Sequence, residues 1–283
     1  MKCKHVLLSF TLLAVFAITQ AQTETGESKF YVKINAGYGL LTPGSFKLLS
    51  TSYSGSMGNA SLSKNGLGGG IRFGGGLGVI VSDFINIGAD VEYLSGSKLS
   101  VDGSVRNPGG YDYFVHQEIA YHTLSITPHV IFKAVSKPDY LIYNKLGLLL
   151  NLPTELQKTQ HDSSYSNKVA DKLIEDKSGT YKVGLTVGLN VALGVQMRLT
   201  DNIRGYAEVF GNYLVLSPDT YDETNSYVHN DVPGTGFTKI KFIKSGALSN
   251  TSDGTTTNIT TYVHNDIFNM NSIGINIGIT YRF

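Results

Sequence analysis

Hydrophobic and polar residues alternate one for one along much of this chain. At its end, Ile273, Ile275, Ile277, Ile279, Tyr281 and Phe283 take one parity, and Gly274, Asn276, Gly278, Thr280 and Arg282 take the other. A period of two sends alternate side chains to opposite sides of a sheet, so Ser272 to Phe283 is predicted as a strand. The same reading predicts strands over Phe30 to Leu40, Gly66 to Val81, Phe84 to Tyr93, Ile119 to Val135, Tyr140 to Leu150, Tyr181 to Leu199 and Ile203 to Leu214. Tyr181 to Leu199 keeps its apolar parity without a break. Pro128 removes one ladder donor from the fourth strand, and a bulge is expected there. In the fifth, Asn144 and Lys145 are adjacent, so one of them faces outward or the strand bulges.

The connections alternate in length. Ser82-Asp83, Ser136 to Asp139 and Thr200 to Asn202 read as tight turns. Leu41 to Asn65, Ser95 to Gln117, Pro153 to Gly179 and a stretch from Leu214 to about Asp266 read as long polar loops. A short helix is expected over Val169 to Asp176, with Ser166 or Asn167 as its cap. Long connections at one end, short ones at the other and an apolar outer stripe describe a membrane β-barrel rather than a soluble sandwich. The expected fold class is therefore all-β: an antiparallel up-and-down transmembrane barrel of eight strands with short periplasmic turns and long extracellular loops. Phe237 to Lys244 also alternates, and with Ser226 to Asp231 it offers a ten-stranded alternative.

In this register the inner parity collects Lys33, Arg72, Asp90, Glu92, Lys133, Lys182, Arg198, Arg204, Glu208 and Arg282. An outward Arg or Lys at mid-membrane costs about 2–4 kcal/mol, so inward placement is expected. An eight-stranded interior is just wide enough for side chains to fill, which favours a salt-bridged core over an ion path.

The N-terminus adds a compartment. Lys2 and Lys4 precede the apolar run Val6 to Ile18, and Thr19-Gln20-Ala21 supplies small residues before a cut, so residues 1–21 read as a signal peptide and the mature chain, 22–283, starts at Gln22. Cys3 is the one cysteine and leaves with it, which excludes disulfides and thiolate chemistry. The 23 basic residues lose Lys2 and Lys4 and then balance the 22 acidic ones, which argues against a nucleic-acid partner.

The signal peptide, the alternating strands, the turn and loop asymmetry and the ending Ile277-Gly278-Ile279-Thr280-Tyr281-Arg282-Phe283 together resemble the small bacterial outer-membrane barrels of the OmpA, OmpX and OmpW type. The outer-membrane β-barrel proteins of Bacteroidetes are the nearest pattern. The resemblance covers nearly the whole mature chain. It implies a monomer in outer-membrane lipid, with Tyr281 and Phe283 forming the signal read by barrel-assembly machinery. No peptidoglycan-binding domain is expected after the barrel. The resemblance carries over no catalytic residue and no cofactor, and an enzyme is not expected.

Three further features carry possible chemistry. The glycines of Gly66 to Gly78 match neither a dinucleotide fingerprint nor a P-loop. Tyr227-Val228-His229-Asn230-Asp231 recurs as Tyr262-Val263-His264-Asn265-Asp266; a hairpin repeat is favoured over a metal site, and no metal is expected. His116, His122, Ser125, Asp112 and Glu118 cluster in sequence without a diagnostic spacing. The expected role is structural, with long outer loops making surface contacts. The alternative is porin-like or OmpW-like passage of small or apolar solutes.

Overall fold

The structure is a computed structural model and describes residues 29–54, 57–105, 111–166, 171–243, 250–252, 258–264 and 267–283. The signal peptide and the start at Gln22 lie outside the described residues. Among those described, every regular element is a strand. Eight strands are labelled here: β1 (Phe30–Leu41), β2 (Gly70–Ile80), β3 (Ile85–Gly96), β4 (Tyr111–Ser136), β5 (Tyr140–Asn151), β6 (Thr186–Arg198), β7 (Ile203–Tyr213) and β8 (Ser272–Arg282). Each pairs antiparallel with the next, and β8 pairs back onto β1 with Ile34 opposite Ile279, so the pairings close a ring.

The ring inverts the usual distribution of polarity. Leu77, Leu193 and Ile277 are 61, 66 and 61% exposed on its outer face, whereas Lys33, Arg72, Lys145 and Glu208 are buried inside it. Small inner residues make this possible. A Cβ at Gly194 would run into the ring of Tyr143, and one at Gly278 into the ring of Tyr206, so each aromatic side chain lies flat over a neighbouring strand.

The tight turns are held by their own side chains. Ser82 Oγ accepts from the amides of Phe84 and Ile85 at 3.2 and 3.1 Å, and Thr200 Oγ1 accepts from the Ile203 amide at 3.0 Å. These are the ST-type contacts that turn serines and threonines provide.

The stretches expected as loops are strands too. Thr154–Ser166, Lys172–Val183, Pro218–His229 and Val232–Ile243 pair successively into a second sheet, joined to the ring through the first half of β4 and extended by Leu99–Val105, Asn258–His264 and Asn250–Ser252. Pro43–Ser54 and Met57–Asn65 form a separate hairpin. Thr154–Ser166 and Pro218–His229 are largely polar on both faces, so hydrophobic periodicity does not reveal them, whereas Val232–Ile243 contains most of the alternation of Phe237 to Lys244; backbone pairing with neighbours holds these strands extended. The expected helix is absent where described: Lys172 to Asp176 is strand, paired with His161 to Tyr165, and residues 169–170 lie outside the described residues. The hairpin of the ten-stranded alternative, Pro218–His229 with Val232–Ile243, pairs with Lys172–Val183 rather than with the ring. Its turn residues Asn230 and Asp231 both have positive φ, 49° and 65°, a tight-hairpin geometry that Asn and Asp tolerate.

Two irregularities differ from expectation. Pro128 sits opposite Ala89 with the register unbroken; the shift comes instead between Lys133 and Val135. Tyr181 to Leu199 is two strands, separated by a register shift at Lys182/Val183 and the unpaired Gly184 and Leu185. Tyr181 and Val183 are buried, whereas Leu185, Val187 and Leu189 are exposed.

An apolar layer separates ring and second sheet. Leu67, Leu94, Leu149, Leu214 and Met270, all near the ends of ring strands away from the tight turns, cluster with Ile119, Tyr121, Leu156, Tyr181 and Phe268. Full burial of such side chains contributes about 1.5–3 kcal/mol each.

Candidate functional site

The ring interior gathers closely spaced charges of both signs. Lys33 Nζ lies 2.8 Å from Asp90, Arg72 Nη1 2.6 Å from Glu92, and Lys145 Nζ 2.7 Å from Glu208. Lys145 also reaches Asp90 at 3.6 Å, so the Lys33–Asp90 and Lys145–Glu208 pairs are linked. Glu208 accepts two further bonds, from Tyr143 Oη at 3.1 Å and Asn276 Nδ2 at 3.2 Å. Arg72 donates from Nη2 to the Gly68 carbonyl and Ser272 Oγ, both at 3.0 Å. The three cations and three carboxylates balance, which is the condition for burying them without a net desolvated charge.

Lys145 and His129 belong to this network and were not among the residues predicted for it. Lys145 points in and Asn144 out, an ambiguity that the sequence leaves open. His129 is fully buried, its Nδ1 3.1 Å from the Thr127 carbonyl and 3.6 Å from Asp90. The inner parity of Thr123, Ser125 and Thr127 was the available signal for it.

The remaining predicted residues sit elsewhere. Lys133 lies at the tight-turn end and donates to the Ser82 carbonyl at 3.0 Å. Arg198 pairs with Asp201 of its own turn, Arg204 faces it across β6 and β7, and Arg282 contacts Gln196 at 3.4 Å. Lys182 does not join them: it lies in the second sheet, half exposed, 2.9 Å from Asp222. The register break after it reverses the face that its parity predicts. Tyr281 and Phe283 pack edge to face at 5.1 Å, and the Phe283 amide donates to the Phe30 carbonyl at 3.2 Å.

Little space remains inside. One void of about 20 Å³ is bordered by Tyr31, Asn86 and Tyr206, and a second of about 20 Å³ by Asp90, Asn190 and Asn276. Each suits about one water, since a cavity needs on the order of 10–15 Å³ to hold one. Buried Tyr31 Oη, Tyr206 Oη, Asp90 Oδ1 and Asn190 Oδ1 have no protein partner, and a water in each void would satisfy such groups.

The histidine and serine candidates are dispersed. Ser125 faces into the ring, with Oγ 3.3 Å from the Glu92 carbonyl, while His122 is exposed on the other face, stacked 6.5 Å from Tyr93. The two histidines of the His-Asn-Asp repeat are far apart, and Asn265 and Asp266 lie outside the described residues. His229 opposes Val232 and His264 lies level with Ile243, the opposite ends of one strand, about 35 Å at ~3.3 Å per residue. His229 pairs instead with Asp171 at 2.7 Å.

His116, on the outer face of the second sheet, bonds Asp102 at 2.6 Å, and this bond raises its pKa above the usual histidine range. Imidazolium is thus favoured by the fold: its stabilisation is present below the unfolded value of about 6.5 and lost as pH rises through the raised one. In an NMR titration, Asp102→Asn is expected to return the His116 pKa toward the ordinary value; an unmoved titration would refute the assignment.

No protein-family model matches the chain. No curated protein matches it either. Among solved structures the chain is similar to the Neisserial surface protein A, with 14% identity over 92% of this chain and 100% of that one and a TM-score of 0.38. It is also similar to the outer membrane protein OprG from Pseudomonas aeruginosa, with 11% identity over 91% and 97% and a TM-score of 0.33. A third is the outer membrane protease OmpT from Escherichia coli, with 11% identity over 92% and 99% and a TM-score of 0.34. These solved structures are outer-membrane β-barrel proteins.

Proposed function

We propose that the chain is a sealed eight-stranded outer-membrane barrel whose task is to hold the second sheet at the cell surface for contacts there. The observation that carries this reading is the filled interior. Linked ion pairs occupy the ring, an apolar layer lies over them, and the voids between are about 20 Å³ each. A solute path needs continuous space, and an apolar layer is a barrier to ions. The exposed apolar band around the ring supports a lipid surround, because a face this continuous is not left to water. Strand length supports a projecting sheet: β4 has 26 residues, against the roughly 9–11 that a tilted span needs.

On this reading the tight turns and both chain ends are periplasmic and the second sheet is extracellular. Residues 1–21 are removed on export. Tyr281 and Phe283 serve barrel assembly, and the folded chain works as a monomer. Purified protein in planar bilayers is expected to give no stepwise conductance, and liposomes containing it are expected to retain small sugars and ions. Reproducible channels, or uptake that survives deletion of 218–265, would overturn the sealed barrel in favour of transport.

A further inference from the structure

The second sheet gathers, on its outer face, a row that the chain order conceals. Asp102 lies opposite His116 in one ladder, His116 opposite His161 in the next, and His161 opposite Asp176 in the third. Residues directly opposite in antiparallel pairs share a face with Cβ atoms about 4.5–5.5 Å apart. The row therefore reads carboxylate, imidazole, imidazole, carboxylate across four adjacent strands. Each imidazole is oriented by its own carboxylate through the same ring nitrogen: His116 Nδ1 is 2.6 Å from Asp102 Oδ1, and His161 Nδ1 is 2.5 Å from Asp176 Oδ1. With Nδ1–H donated to a carboxylate, loss of the Nε2 proton leaves each ring a lone pair on that nitrogen. This is the arrangement by which metal-binding histidines are held and made more basic.

A third donor stands beside the first. Glu118 Oε1 is 3.5 Å from His116 Nε2, close to the edge of about 3.3 Å between two ligands on a tetrahedral ion with bonds near 2.0–2.1 Å. Both histidines border one surface depression of about 310 Å³, so an ion has open access. Half-exposed rings can turn: His116 and His161 side chains are 46 and 52% exposed. Among the described residues no three such donors are yet gathered around one point, so the shell closes by rotation of these side chains as the ion arrives.

We propose that His116 Nε2, His161 Nε2 and Glu118 bind one imidazole-seeking divalent transition ion of the Zn²⁺ or Cu²⁺ type on the outer face of the second sheet, with Asp102 and Asp176 as positioning residues. Two imidazoles and a carboxylate suit these ions and not Mg²⁺ or Ca²⁺, which take oxygen shells. The site belongs to the sheet wherever the ring resides, so its test does not depend on the sealed-barrel reading.

Full-length protein folded in detergent is titrated with Zn²⁺ by calorimetry, and with Cu²⁺ by electron paramagnetic resonance. One equivalent is expected to bind, with nitrogen hyperfine structure in the copper spectrum. His116→Ala and His161→Ala are each expected to weaken Zn²⁺ at least about tenfold, and Asp102→Asn about 10–100-fold. His229→Ala, on the same sheet, is expected to change nothing. Heat-modifiable migration on gels establishes that each variant is folded, and folded variants alone are compared. Absence of binding by the parent overturns the site, as does Zn²⁺ binding unchanged in the folded His116→Ala, His161→Ala double variant, or binding of Mg²⁺ with equal strength.

Discussion

Glu208→Ala is expected to destabilise the folded chain by about 3–5 kcal/mol, because it leaves Lys145 buried beside no adequate counter-charge. The side chains of Lys145 and Glu208 are only 4 and 2% exposed, and their separation is 2.7 Å. Glu208 also satisfies Tyr143 and Asn276, so its loss orphans two more donors in a closed space. Asp90, at 3.6 Å from Lys145, recovers a part of the charge interaction but already serves Lys33. The double replacement Lys145→Met, Glu208→Leu removes both charges together and is expected to restore much of the loss. A buried pair often contributes little over an apolar substitute, whereas half of one is costly. Urea unfolding in lipid vesicles reads both effects. If the double variant is as unstable as Glu208→Ala alone, desolvated charge is not what the network manages.

The second large effect lies on the other face. Ile277→Arg is expected to cost about 2–4 kcal/mol when the protein is folded into a bilayer, the penalty for a cation at the lipid-facing midplane of a barrel. Ile277 is 61% exposed and sits between Ala36 and Ala207 of the flanking strands, with no carboxylate opposite. Val232→Arg makes the control, because Val232 is 66% exposed at the tip of a hairpin in the second sheet and is expected to tolerate the change within about 0.5 kcal/mol. In water both sites would be indifferent to arginine. Equal, small effects at the two positions in a bilayer would remove the membrane reading of the ring.

Much of the ring was legible in the residues. The alternation from Ile273 to Phe283 and the neighbouring stripes identify six of the strands within about four positions, because an exposed apolar face and a packed polar face impose a period of two. The inner places of Lys33, Arg72, Asp90, Glu92 and Glu208 follow from parity alone. Parity failed where the backbone changed direction. Lys182 shares its parity with Asn190 and Gln196, yet a register shift and two unpaired residues lie between them. Lys145 was invisible for a different reason: with Asn144 beside it, either residue could have taken the inner side, and only contact with Glu208 and Asp90 separates them.

Most of the second sheet was illegible, apart from the alternation of Phe237 to Lys244 and of Tyr181 to Val183. Lys158, Gln160 and Asp162 turn to one side and Thr159, His161 and Ser163 to the other, so both sides are polar and no stripe distinguishes strand from loop. Its stability comes from ladders with partners distant in sequence, and a local pattern carries no record of those. The alignment of Asp102, His116, His161 and Asp176 has the same origin.

Sequence alone thus indicated which segments of the ring alternate, which face of each is apolar, and where the tight turns fall. These are local consequences of a two-residue repeat and of turn chemistry. The closing of β8 onto β1, the choice of Lys145 over Asn144, the apolar layer over the ion pairs and the row of histidines came from the fold. Each depends on which strand lies beside which, and that is determined by long-range pairing and by the need to neutralise buried charge rather than by any single stretch of residues.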